Sequence, residues 1–318
     1  MTITPDVFAA FLKCTTKCWL RATGENPTGN VYAEWIQDQN EAYRADGLER
    51  WLSALPQDER AIAPAAGEMR TARWRLAVNV QVCVEEFPSP EPHSKWTVES
   101  HLQAVERVPS EGRGKSAQFI PVRFVFTNTL GKDDKLLLAF DAWALSRLLG
   151  REVRLGKIIH GDKHSALKVK TSALASEVRK RLAKITALLS SPAPPDLVLN
   201  RHCAECEFQT GCRQKALEKD DLSLLSGMSA KERQKLRSKG IFTVTQLSYT
   251  FRPRRRPKRQ RDKREQYHHS LKALAIREKK IHIVGSPELK IEGIPVYLDS
   301  RGLVRPRFLL PACASVGS

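Results

Sequence analysis

Apolar residues recur at two periods along the chain, and each period calls for a different element. Thr4 stands as a helix cap before Pro5, and Val7, Phe8, Phe11 and Leu12 form one apolar face, so residues 4–21 read as a helix with Cys14 near its end. Between Val31 and Leu55 the positions Tyr32, Trp35, Ile36, Tyr43, Leu48, Trp51 and Leu52 keep helical spacing, with Gly47 and Pro56 as interruptions, and predict a core helix. The period then drops to two. Leu76, Val78, Val80 and Val82 alternate with Ala77, Asn79 and Gln81, as a half-buried strand requires. Residues 96–109 and 119–126 read as two more strands, separated by a flexible turn at 110–116. Residues 136–149 return to a helix, 150–162 to a short strand pair, and 167–189 to a basic amphipathic helix with Leu174, Val178, Leu182, Ile185 and Leu189 on one face. Strands and helices in this order predict an α/β fold.

Composition adds a partner class. The chain has 318 residues, 41% of them hydrophobic, which suffices for about two domains with proper cores. Its net charge of +18 predicts a polyanionic partner. The charge is concentrated in Arg252, Arg254, Arg255, Arg256, Lys258, Arg259, Arg261, Lys263 and Arg264, a run expected to stay extended until it meets nucleic acid. Lys168, Lys170, Arg179, Lys180, Arg181 and Lys184 supply a second basic face, either for phosphates or for solvent. No apolar stretch is long enough for a membrane span, and the start lacks a basic region before an apolar one, so no membrane association and a cytoplasmic, reducing setting are expected.

Cys203, Cys206 and Cys212 supply three of the seven cysteines within Arg201–Arg213. A two-residue gap lets Cys203 and Cys206 turn toward one centre, and Gly211 is expected to free the backbone that returns Cys212 to it. Cys14 or Cys18 can provide a fourth thiolate from far upstream. An odd cysteine count and the absence of a secretory leader disfavour disulfides. Four thiolates suit either zinc or an iron-sulfur cluster, and softness alone does not separate them.

The early Leu12-x-Cys14-x-x-x-Cys18-Trp19-Leu20 stretch followed far downstream by Cys-x2-Cys-x5-Cys resembles the iron-sulfur RecB-like nucleases, which include the AddB nuclease domain, the CRISPR-associated exonucleases and the recombinase B family. The resemblance covers residues 1 to about 250. It implies a PD-(D/E)xK nuclease fold closed by a 4Fe-4S cluster on Cys14, Cys203, Cys206 and Cys212, with Cys18 in reserve. It also implies a carboxylate on one strand and an acid-x-Lys pair on the next, holding Mg²⁺ or Mn²⁺ for phosphodiester hydrolysis. Here the chain departs from the family. Gln103 stands where an Asp is expected, and the run around Val122 and Phe124 has no acid. Glu99, Glu106, Asp133 and Asp134, the last two read as part of a polar turn, are the substitute catalytic candidates. His160, Asp162 and His164 form a polar loop that can also be read as metal ligands.

Asp221–Leu247, with two short helices joined through Gly240-Ile-Phe-Thr-Val244, resembles a helix-hairpin-helix, which can offer backbone N–H groups to a phosphate. Residues 293–302 resemble the opening strand of an RNase H-like domain, with Asp299 kept and Arg301 in place of the second acid. The expected domains are therefore 1–216 with the nuclease fold and cluster, 217–250 with the helical module, 251–280 as basic linker and helix, and 281–318 as a truncated, poorly ordered RNase H-like start. The implied function is DNA binding in repair or recombination with degraded catalytic motifs. An active Mg-dependent exonuclease with relocated carboxylates and a zinc-stapled nucleic-acid adaptor are the alternatives. If the basic run neutralises about six phosphates, log K for DNA should fall against log salt with a slope near −5. Neutralising four of its arginines should flatten that slope in a titration of the full chain.

Overall fold

The computed structural model describes residues 1–87, 96–109, 117–251, 268–281, 297–299 and 313–315. The chain divides into two compact units, Met1–Cys212 and Arg213–Ser318. No helix among the described residues is long and apolar enough to cross a membrane.

The first unit is a mixed α/β structure built on one seven-stranded sheet. Its strands are β1 (Thr2–Ile3), β2 (Arg60–Ile62), β3 (Leu76–Phe87), β4 (Trp96–Val108), β5 (Gln118–Val125), β6 (Leu155–His160) and β7 (Ser165–Lys170). The order is β2-β3-β4-β5-β6-β7, with β1 pairing β4. The β2/β3, β5/β6 and β1/β4 pairs are parallel and the others antiparallel. On one side of β4, Thr97 and Val98 pair with β1 while residues 104–108 pair with β5. Gln103 lies between these two ladders. Its side-chain carbonyl accepts the Phe124 N–H at 2.6 Å and so continues the bonding that the strands themselves leave off.

Both faces of this sheet are covered. Helices α1 (Pro5–Lys13), α4 (Lys132–Leu149) and α5 (Ala175–Leu189) bury Phe8, Phe140, Leu145, Leu182 and Ile185 against Val80, Val82, Trp96 and Leu102. On the opposite face α3 (Val31–Ser53) lays Tyr43, Leu48, Trp51 and Leu52 over Leu76, Val78, Ala104, Val122 and Phe124. The strict alternation expected for 76–82 breaks at Asn79, where φ is 54°. Leu76 and Val78 belong to the α3 cluster, whereas Val80 and Val82 belong to the other. Ladder pairs skip Asn79 and Gln103, so β3 and β4 change faces together.

Several elements differ from the periodicity. The helix predicted over 4–21 is two helices, because Cys14 is extended (φ −163°, ψ 129°) between α1 and α2 (Thr15–Ala22). Gly47 does not interrupt α3. It is buried within the helix, and a Cβ there would lie 2.5 Å from the Phe124 ring, so the missing side chain admits the aromatic. α3 is also a half-exposed cover rather than a core helix, with Gly47 its one fully buried residue. Asp133 and Asp134 lie in the first turn of α4, where the Asp134 carboxylate reaches back and accepts the Gly131 N–H at 2.7 Å. Residues 167–170, predicted as the start of a basic helix, belong to β7 and pair with β6 instead, and α5 begins at Ala175. Alternation with a pairing partner overrides helical propensity there.

In the second unit α7 (Ala230–Arg237), α8 (Val244–Ser248) and α9 (His269–Glu278) surround Leu222, Leu225, Val244, Leu247 and Ala273. β8 (Tyr297–Asp299) and β9 (Cys313–Ser315) pair antiparallel; the rest of 282–318 lies outside the described residues.

A charge pair crosses the main core. Arg123 on β5 is 8% exposed and Asp141 on α4 is 1% exposed. The guanidinium donates twice to the carboxylate, through Nε and through Nη2 at 2.9 Å, and Ser100 Oγ donates at 2.7 Å. Removing one partner leaves a buried, uncompensated charge, so Asp141→Ala should destabilise the chain by about 3–5 kcal/mol in urea unfolding. Arg123→Met with Asp141→Leu should recover most of that loss.

Candidate metal centre

The cysteine segment is built as two turns. Asn200 caps a 3-10 turn over Arg201–Glu205, its side chain accepting the His202 N–H at 2.8 Å, and Cys206 N–H returns to the Cys203 carbonyl at 3.2 Å. Next, α6 (Gln209–Glu218) carries Cys212, whose N–H bonds the Phe208 carbonyl at 3.0 Å. Gly211 is helical, and its role differs from the expected free turn. A Cβ there would stand 2.8 Å from Thr28 Cγ2, so glycine allows that close approach.

Cys14, Cys203, Cys206 and Cys212 line one cavity of about 120 Å³, together with Lys13, Lys17, Asn200 and His202. Cys18 is not part of this lining. It is fully buried in the main core, and burial first, then the neighbouring Cys14, pushes its thiol up to about 12. Burial also raises the Cys203 and Cys206 thiols, opposed by backbone N–H donors, Asn200 at 3.2 Å from Cys203 Sγ and Phe208 at Cys206. Burial and the charges of Lys13 and Arg201 lower the His202 imidazole.

Among the described residues no three His, Cys, Asp or Glu side chains form a group able to hold a metal ion. A mononuclear zinc site draws four sulfurs to about 2.3 Å from one centre. A four-iron cluster would instead interpose its own iron and sulfide atoms between four thiolates, and the four cysteines that line the cavity are the donor type either group requires.

Segments distant in sequence hold this cavity closed. Asn30 Nδ2 donates to the carbonyls of Ala204 and Cys206, both at 3.0 Å, and Thr28 N–H bonds the Glu207 carbonyl at 3.0 Å. Asn200 Nδ2 reaches the Lys13 carbonyl at 3.3 Å. Glu207 receives Arg21 Nε at 2.7 Å and Lys17 Nζ at 2.6 Å. Sequence reasoning passed over Asn30, Asn200 and Glu207; polar residues flanking a cysteine turn were the available signal.

The catalytic candidates are placed apart. Glu106 pairs with Lys157, Asp133 with Lys13 at 2.9 Å, and Asp134 caps α4. Glu99 stands opposite Cys83 in the β3/β4 ladder. Where a second carboxylate was expected, Val122 and Phe124 are 1% and 4% exposed beneath α3. His164 stacks on Tyr43 with ring centroids 4.6 Å apart and lies 3.2 Å from Asp46, while Asp162 bonds Asn128 at 3.0 Å.

In the second unit the hairpin between α7 and α8 uses its own N–H groups. Ile241 N–H bonds the Leu236 carbonyl, Phe242 and Thr243 N–H bond Gln246 Oε1, Val244 N–H bonds the Asp220 carbonyl, and Thr245 N–H bonds the Asp220 carboxylate at 2.8 Å. These groups are therefore not directed at a phosphate. The basic residues Arg252 to Arg264 lie outside the described residues.

No family model and no curated protein matches the chain. A solved structure, that of SSO0001, is similar at a TM-score of 0.38 and 13% identity, over 67% of this chain and 86% of that one. A likeness this weak assigns neither fold family nor function.

Burial acts to raise the Glu207 carboxyl, yet hydrogen bonds from Lys17 and its own backbone N–H, with the Arg21 charge, hold it below the usual value. A depressed carboxyl contributes stability above its unfolded value near 4.5, and that contribution is lost as pH falls through the lower folded value. Glu207→Gln should thus cost roughly 1.5–3 kcal/mol at neutral pH, as for hydrogen bonds to a charged group. Denaturation series at descending pH should show the gap to the unsubstituted protein closing below that range.

Proposed function

We propose that this chain is a nucleic-acid-binding protein of the RecB-like nuclease type, in which Cys14, Cys203, Cys206 and Cys212 hold a 4Fe-4S cluster and the catalytic carboxylates have been replaced. The observation that carries this reading is the single cavity lined by all four cysteines, three from one turn-helix segment and one from the break between α1 and α2. Cys18 is the weaker donor, since its thiol is packed in the core. The net charge of +18 supports a polyanionic partner, and DNA is the one this reading names.

Loss of hydrolysis follows from ligand count. A hard, strongly hydrated Mg²⁺ needs several oxygen donors around it, and the acids near the sheet are separately engaged by Lys157, Lys13 and the α4 cap. The buried apolar pair Val122 and Phe124 occupies the strand where the acid-x-Lys pair belongs.

Protein purified without oxygen should be brown and contain iron. Cys203→Ala should lose that iron together with much of the fold, because metal binding energy is folding energy. Full iron content and unchanged melting in Cys203→Ala would overturn the assignment, and zinc in place of iron would favour the adaptor reading. Cluster-loaded protein should leave single-stranded and duplex DNA uncut with Mg²⁺ or Mn²⁺. Strong cleavage that disappears in Glu106→Ala or Asp134→Ala would show a relocated active site.

A further inference from the structure

Three observations in the second unit concern one cleft. First, the hairpin N–H groups that a helix-hairpin-helix would offer to a phosphate are bonded internally, and the Asp220 carboxylate adds a negative charge beside them. Second, an open cleft of about 650 Å³ lies between α7 and the start of α9, lined by Lys235, Lys239 and Lys272 with His268 and His269. Among the described lining residues the one acid, Glu232, is already engaged: its carboxylate accepts from Ser229 N–H at 2.8 Å and Ser229 Oγ at 2.7 Å, and lies 3.7 Å from His269 Nε2. Among the described residues the lining thus carries three lysines against one capped acid. Third, the ring of Phe251 meets that of His268 with centroids 6.4 Å apart, so the chain leaves and re-enters the described structure beside this cleft.

We infer that the α7/α9 cleft, and not the α7/α8 hairpin, is where the second unit takes the phosphates of a nucleic-acid strand. This rests on the nucleic-acid-binding reading above and deepens it by naming the contact. Lysine suits the task as a compact point charge that meets a phosphate without reading bases, so the cleft adds affinity without sequence preference. Lys235 in the last turn of α7 and Lys239 in the turn that follows it are both exposed, which leaves both accessible to phosphates. Lys272 donates to the Ser226 carbonyl at 3.2 Å, which fixes its position at the cleft wall.

The test uses the full, cluster-loaded chain and a labelled single-stranded oligodeoxynucleotide over a salt series. Lys235→Gln with Lys239→Gln should make the slope of log K against log salt shallower by roughly 1.4, at about 0.7 for each phosphate contact on a single strand. Lys215→Gln with Lys219→Gln removes the same charge from residues outside the cleft and should change the slope little. Melting temperature checks that each variant is folded. Equal flattening by the two doubles, or none by the first, would overturn the cleft while leaving nucleic-acid binding standing. An unmodified protein that ignores the oligonucleotide would instead remove the underlying reading. Polyglutamate binding as tight as the oligonucleotide would place an acidic protein in the cleft and overturn the assignment.

Discussion

The first unit depends on bringing residues 13–30 and 200–212 to one place across almost the whole of its length. Loop closure over that distance has an entropic cost that rises only with the logarithm of length, but nothing local repays it. The seven-stranded sheet does so first. β1 enters it beside β4, which fixes the start of α1 against the main core, and α5 packs on the same face. With both segments already adjacent, Asn30, Asn200 and Glu207 need only align them, and each buried-side hydrogen bond then contributes its usual modest amount. The cysteine cavity is thus a consequence of the sheet.

This order explains what was legible in the sequence. α3 was readable because the face it lays on the sheet imposes its period, and β5 because burial on both faces calls for a nearly continuous apolar run. Their exceptions were not, because each depends on a partner elsewhere in the chain. Gly47 looked like a helix interruption until Phe124 was seen pressing on it, and the face change at Asn79 requires the matching irregularity at Gln103. Residues 165–170 carry helix-compatible lysines but find a strand partner in β6. The cysteine spacing was legible as a turn. The extended conformation that separates Cys14 from both neighbouring helices was not.

Arg123 and Asp141 show a signal that could have been used. Each is a lone charge within an apolar run, Phe119–Phe126 and Leu136–Leu145, and opposite charges stranded in two buried elements must find one another or remain uncompensated. That rule predicts a contact between strand and helix without any homologue. It also limits function, since a buried carboxylate that already accepts from a guanidinium twice and from a serine hydroxyl once is a poor ligand for a metal ion.

Gln103 shows the same logic at a single uncharged side chain. The Gln103 amide turns its oxygen onto the Phe124 N–H and closes a gap in the sheet. Opposite it, the apolar side chains of Val122 and Phe124 fill the space under α3. Returning an aspartate to position 103 would shorten the side chain, open that hydrogen bond and place a charge beside an apolar cluster with no second carboxylate to share an ion. Position 103 is thus tied to its neighbours through the sheet, so a substitution there acts on the packing of β4, β5 and α3 together.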